Sequence, residues 1–227
     1  MRLLALETSG MSGSVATLAS GGKPQVVRLP ATERSARGLA PAVREAVRLA
    51  GWKPTEVGVV AVTVGPGSFT GLRIGVTTAK TLAYAWKADL VAVDTLDVLA
   101  RQAPTTGDVL HAVLDAHRQE LFTAVFRRDA AGGWVRNGES RLITVEAWLA
   151  ALRPGDAVIG PVLSRIAARL PDSIIAASPE AREPHAGTVA ELAAEAYAAG
   201  RRDDVWQIVP WYGRLAAAEE KRLGITS

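Results

Sequence analysis

The strongest constraint on this chain lies between residues 57 and 75. A strongly β-branched run, Val57 to Val64, passes directly into Gly65-Pro66-Gly67-Ser68-Phe69-Thr70-Gly71-Leu72-Arg73-Ile74-Gly75, and helical composition continues from Leu72 to Trp86. An apolar run of strand length predicts a strand buried on both faces, as in a parallel sheet. Three glycines within residues 65–71 let the backbone take positive φ and approach a neighbour closely. The segment therefore predicts a strand, a tight loop and a helix, with Thr70 as the N-cap candidate. The N–H groups at such a helix start suit an anion, which makes Gly65, Gly67, Ser68, Thr70 and Gly71 candidate anion or nucleotide contacts, and Thr8 and Ser9 join them from the polar turn after Glu7. A tight, capped turn without a ligand explains the same glycines. A Walker A loop is excluded, because Gly71 is followed by Leu72 and Arg73 instead of Lys and Ser/Thr.

Around this unit the chain reads as a layered α/β fold. Leu3 to Leu6 and Ser14 to Leu18 form a hairpin through Thr8-Ser9-Gly10-Met11-Ser12-Gly13, and Gln25 to Leu29 extends it. A helix over Leu39 to Ala50 ends at Gly51, and Leu90 to Val93 is a second buried strand. The order β-β-β-α-β-α-β follows. Ala103 to Gly107 marks a boundary, after which Val109 to Leu114, the polar turn Asp115 to Gln119 and Leu121 to Phe126 begin the plan again. Trp134-Val135 and Leu142-Ile143 continue it. This internal repeat predicts two tandem lobes, residues 1–103 and 104–227. Pro179 to Pro184 reads as exposed loop.

Composition removes much chemistry. The 227 residues contain no cysteine, which excludes disulfides, thiolate metal sites and a cysteine nucleophile. The three histidines, His111, His117 and His185, leave little for a metal site or an acid–base relay, and no hydrolase or kinase motif set occurs. A net charge of +3 is too balanced to predict nucleic-acid binding by electrostatics alone. The start is too short an apolar run for a signal peptide, and no stretch approaches the ~20 apolar residues of a membrane span. A cytoplasmic protein without membrane contact is expected.

Two helix stripes and two turns carry the remaining functional signal. Gly75, Ala79 and Ala83 recur at four-residue spacing beside Leu72. Ala42, Ala46 and Ala50 do the same beside Leu39, Val43 and Val47, so either core packing or a helix-to-helix protein interface explains them. The turn after Glu7 contains glycine and suits a phosphate, whereas Asp115-Ala116-His117-Arg118-Gln119-Glu120 contains none and adds carboxylates. As an ATP clamp the repeat looks degenerate. An ATP-dependent small-molecule phosphotransferase, with Glu7 or Asp115 holding magnesium-bound ATP, remains the alternative reading.

Taken together, Leu3-Leu4-Ala5-Leu6-Glu7-Thr8-Ser9, the Gly65 to Gly75 segment, Asp115-Ala116 with Glu120, Pro210-Trp211-Tyr212 with Arg214, and Ala218-Glu219-Glu220-Lys221 resemble the TsaB (YeaZ) family over the whole length. The resemblance implies an α/β fold of two tandem RNase H-like lobes, of the actin, sugar kinase and Hsp70 (ASKHA) type. It also implies a non-catalytic dimerization subunit for threonylcarbamoyl transfer to N6 of adenosine 37, in tRNAs that read codons beginning with A. The expected partners are a TsaD-type catalytic homologue and a TsaE-type ATPase, with tRNA met through the complex and a homodimer formed when the catalytic partner is absent. The helices of the first lobe are expected to make the shared interface through the stripe residues. The chain would bring no cofactor of its own, ATP and metal residing in the partner subunits. Departures from the family pattern stand at Ser35 and Ala36, at His117 and Phe122, and at Gly213.

Overall fold

The computed structural model describes residues 1–30, 35–104 and 106–213. The first half supplies β1 (Arg2–Glu7), β2 (Ser14–Ala19), β3 (Gln25–Arg28), α1 (Ser35–Leu49), β4 (Val59–Gly65), α2 (Phe69–Trp86), β5 (Asp89–Asp94) and α3 (Thr95–Gln102). The second supplies β6 (Val109–Asp115), β7 (Glu120–Arg128), β8 (Trp134–Arg136), β9 (Arg141–Thr144), α4 (Val145–Ala151), β10 (Ala157–Ile159), α5 (Leu163–Ile166), β11 (Ile175–Ala176) and α6 (Ala186–Ala198).

One sheet runs in the order β3-β2-β1-β4-β5, with β1 antiparallel to β2 and parallel to β4. The other runs β8-β7-β6-β10-β11, with β6 antiparallel to β7 and parallel to β10, and β9 also pairs with β7. Strand by strand the two sheets share one plan. The tandem two-lobed fold of the actin, sugar kinase and Hsp70 type is therefore present.

β4 is buried on both faces, as its composition predicts. Val60 and Val62 join Leu4, Leu6 and the inner sides of α1 and α2, while Val59 and Ala61 pack with Leu3 and Ala5 under α6. Each such valine or leucine contributes on the order of 1.5–3 kcal/mol relative to exposure. The final helix of each half crosses to the other sheet. Leu96, Leu99 and Ala100 of α3 pack with Leu110 and Ala112 of β6, and Ala186, Val189, Ala190 and Ala193 of α6 pack on the first sheet. A cut at 103/104 separates the sheets, but not the helices that cover them.

Several local expectations need correction. The N-cap of α2 is Ser68, whose hydroxyl accepts the Gly71 N–H at 3.2 Å, and Thr70 lies inside the first turn. Serine is the better cap by side-chain reach, and the helix begins earlier than Leu72 for that reason. α1 also begins earlier, at Ser35, so Pro41 falls inside it. Residues 179–184 are not simply exposed: Pro179–Ala181 form a 3-10 turn and Pro184 is buried. The resemblance at Arg214 and residues 218–221, and the side chains at 35 and 36, lie outside the described residues. Among the described residues, no helix is long and apolar enough to cross a membrane.

Candidate functional site

The glycine loop and the turn after β1 fit into each other through their backbones. A Cβ on Gly71 would overlap the Thr8 carbonyl oxygen, one on Gly75 the Thr8 hydroxyl, one on Gly67 the Ser9 carbonyl, and one on Gly65 the Trp211 carbonyl. Gly65 and Gly67 also hold φ of +124° and +155°. These glycines are thus explained by close approach within the chain. The Ser68 N–H donates to the Ser9 carbonyl at 2.8 Å, and the Leu72 N–H to the Ser68 carbonyl at 2.8 Å. With the Gly71 N–H on the Ser68 hydroxyl, three donors of the helix start are already used internally. Ser68 and Thr70 are exposed, whereas Thr8, Ser9, Gly65 and Gly71 are buried and Gly67 is half-buried.

Glu7 lies at the centre of this junction and is wholly buried, at 0% exposure. Its Oε1 accepts the Ser9 N–H at 2.7 Å and the Ser9 hydroxyl. Burial pushes its pKa from 4.5 up to about 7, against the opposing pull of the Ser9 and Gly10 donors, and the nearby Glu183 carboxylate pushes the same way as burial. The Glu7 Oε2 is buried without a hydrogen-bond partner.

The corresponding turn of the second lobe is built differently. His117, Arg118 and Gln119 take φ of 61°, 48° and 61°, a left-handed stretch without glycine. Asp115 Oδ1 accepts the His117 N–H at 3.0 Å and pairs with Arg165 at 3.0 Å. Phe122 is buried next to this turn, with its ring centroid 5.9 Å from that of Trp211. A Cβ on Gly213 would overlap the Phe122 ring. Two of the departures from the family pattern therefore meet, the Phe122 ring occupying space that a side chain at position 213 would need. His111 is buried on β6, 3.3 Å from Asp156, and burial lowers its pKa. Among the described residues, no three His, Cys, Asp or Glu side chains come together as a metal site.

The helix stripes point inward. Leu39, Ala42, Val43, Ala46, Val47, Leu72, Gly75, Ala79 and Ala83 are all buried in this chain, and Ala50 is half-buried. Alanine at 79 and 83 lets α2 lie close to Leu4, Leu6, Val60 and Val62, so the small side chains serve the core. A charged residue at 79 or 83 would break that packing, and such a variant cannot report on docking alone. The open surface of the two helices is instead a groove of about 450 Å³, in which Val43 and Val47 form the floor with Trp52, Leu82 and Trp86, beside Arg44 and Arg48. Spacing alone did not single out Trp52, Leu82 or Trp86, although their large apolar side chains on or beside the helices were a usable signal. Glu183 and Gln102, far from the turn in sequence, gave none.

Comparison with known proteins agrees with this geometry. The family model described as "TsaD: tRNA N6-adenosine threonylcarbamoyltransferase" matches residues 11–199. A Bacillus subtilis protein named tRNA threonylcarbamoyladenosine biosynthesis protein TsaB is 27% identical over 97% of this chain and 97% of its own length. The Escherichia coli protein of the same name is 33% identical over 59% of this chain and 58% of its own. The solved structure of YeaZ from Pseudomonas aeruginosa superposes with a TM-score of 0.80 at 28% identity, covering 93% of this chain and 99% of that one. With the glycine-loop junction, the repeated sheets and these likenesses in one molecule, the chain belongs to the threonylcarbamoyltransferase-related family, and within it to the TsaB (YeaZ) group.

Proposed function

We propose that this chain takes part in forming N6-threonylcarbamoyladenosine in tRNA, as a non-catalytic subunit that docks its first lobe onto a TsaD-type catalytic homologue. The family match and the TsaB relatives support the tRNA-modification role. The observation that carries the docking role is the apolar groove between α1 and α2, lined by Trp52, Leu82 and Trp86. Apolar helix surface bordered by arginines is what a helix-to-helix interface buries. The polar turns support an accessory role in turn, because Glu7 is enclosed by its own backbone and Asp115 is paired with Arg165. ATP and any metal belong to the partner subunits, including a TsaE-type ATPase, and tRNA is met through the complex. In the absence of the catalytic partner the same groove pairs two copies of this chain.

Leu82→Glu tests this, since Leu82 is half-buried at the groove and not in the sealed core. Co-purification with the catalytic homologue should fall at least about tenfold, with a matching loss of modified tRNA in a reconstituted mixture. A folded variant that still docks normally overturns the reading. Turnover of magnesium-ATP by the chain alone would replace it with the phosphotransferase.

A further inference from the structure

After α6 the chain turns back along the first lobe and reaches across to the second. The Asp203 N–H donates to the Leu90 carbonyl at 2.9 Å, and Asp203 Oδ2 accepts the Ala92 N–H at 2.7 Å, which fastens the segment to β5. Val205 and Ile208 then join the core beneath α1 and α2, and the Lys80 ammonium of α2 donates to the Ile208 carbonyl at 3.2 Å. Trp206 meets Tyr84 of α2 edge to face, with ring centroids 5.8 Å apart. At the end of β4 the Trp211 N–H donates to the Val64 carbonyl at 2.7 Å, and the Trp211 carbonyl fills the space that Gly65 leaves open. Tyr212 lies on Phe69 with centroids 4.4 Å apart. Residues 203–212 thus run along one lobe, held to it by several hydrogen bonds.

The contact with the second lobe is of a different kind. It is made on Phe122 of β7, whose ring centroid is 5.9 Å from that of Trp211 and whose ring stands where a Cβ of Gly213, at φ +63°, would lie. Parting two apolar surfaces leaves no polar group unpaired, whereas lifting the segment off the first lobe breaks its hydrogen bonds. The side on Phe122 therefore gives way first. Other ties between the halves run through α3. Arg136 of β8 pairs with Asp94 at 2.9 Å and Asp97 at 2.7 Å at its start, and Gln102 at its end donates to the carbonyls of Ala181 at 3.0 Å and Glu183 at 2.7 Å. Residues 211–213 add a hold between another pair of elements, the glycine loop and β7.

We propose that residues 203–213 form a strap that sets the angle between the two lobes, fastened to the first by hydrogen bonds and to the second by the Phe122 contact, where it releases when the lobes part. Because the strap stays on the first lobe, its polar groups remain paired in both arrangements. Trp211 is 42% exposed even when fastened, so release uncovers a limited apolar area. α2 also walls the apolar groove, and the strap thereby holds the second lobe fixed relative to that face, whatever docks there.

A chain without cysteine can be labelled cleanly at introduced ones. Nitroxide labels on Lys23→Cys of the first lobe and Asp172→Cys of the second, both exposed positions, report the distance between the lobes of the full chain by double electron–electron resonance. With the strap fastened the distribution should be single and narrow. Trp211→Ala should widen it about twofold or more, and so should Phe122→Leu, which keeps an apolar side chain on β7. Trp206→Ala, on the same segment but set against Tyr84 of the first lobe, should leave the width unchanged. Amide exchange at residue 211 should stay slow in Phe122→Leu, because the bond to Val64 persists. If Trp211→Ala fails to fold, Phe122→Leu decides alone. A broad distribution in the labelled parent, an unchanged width in Trp211→Ala or Phe122→Leu, equal widening by Trp206→Ala, or loss of protection at residue 211 in Phe122→Leu overturns the strap.

Discussion

The two lobes use one strand order and diverge after the central parallel strand. In the first lobe, β4 leads through Gly65 into α2, which has 18 residues and is capped by Ser68. In the second, β10 leads through Gly160 into α5, which has 4 residues and no capping side chain at Val162. Both junction glycines hold high positive φ, +124° and +146°, and a Cβ on either would overlap a backbone carbonyl, that of Trp211 or of Val113. The tight exit from the strand is thus the shared requirement, while the length of the helix that follows is free to vary. Long helices in the first lobe leave a groove between α1 and α2. The second lobe instead encloses Trp148, at 1% exposure, among Val113, Leu121 and Leu163.

Substitution at the paired junctions is the strongest way to break this comparison. Gly160→Ala and Gly65→Ala should each cost about 3 kcal/mol or more, read from denaturant midpoints, because the clash is with backbone and the φ is strained. If only one proves costly, the junctions are not equivalent. A smaller effect separates the helices that follow. Ser68→Ala should cost about 1 kcal/mol by removing the acceptor of the Gly71 N–H, and Thr70→Ala should stay within about 0.5 kcal/mol. Equal effects would return the cap to Thr70.

The smallest effect is in pH, where the lobes pull in opposite directions. Burial lowers the pKa of His111 in the second lobe, so its contribution to stability is present above the unfolded value of 6.5 and is lost as pH falls through it. Glu7 in the first lobe contributes with the opposite sign, so the two partly cancel in a global melt. Comparing thermal melts of the wild type and His111→Asn isolates the histidine: the wild type should lose more Tm between roughly pH 7.5 and pH 5.5. Parallel curves would mean that His111 is not held neutral in the fold.

Much of the fold was legible because it follows from local pattern. The β-branched run before Gly65, the turn residues at 8–13 and the boundary near 103–107 gave the strand order and the repeat. The stripes are legible as small-residue faces, but spacing cannot tell whether such a face meets its own sheet or another molecule. Ala79 and Ala83 meet the sheet, because β4 runs directly beneath α2 and only small side chains permit that distance. The same ambiguity attached to the glycine loop. Freedom at Gly67 and Gly71 admits a phosphate or a neighbouring carbonyl equally well, and here the Thr8 and Ser9 carbonyls occupy the space.

By itself, the sequence determined the two-lobed repeat, the family and the absence of cysteine chemistry, since these depend on residue identity and short-range periodicity. Only the tertiary structure decided which helix faces remain open, which glycines serve the backbone, and that Glu183, far along the chain, comes against Gly10 of the turn after β1. Contacts of that separation arise when α3 and α6 exchange sheets, and no local pattern encodes the exchange.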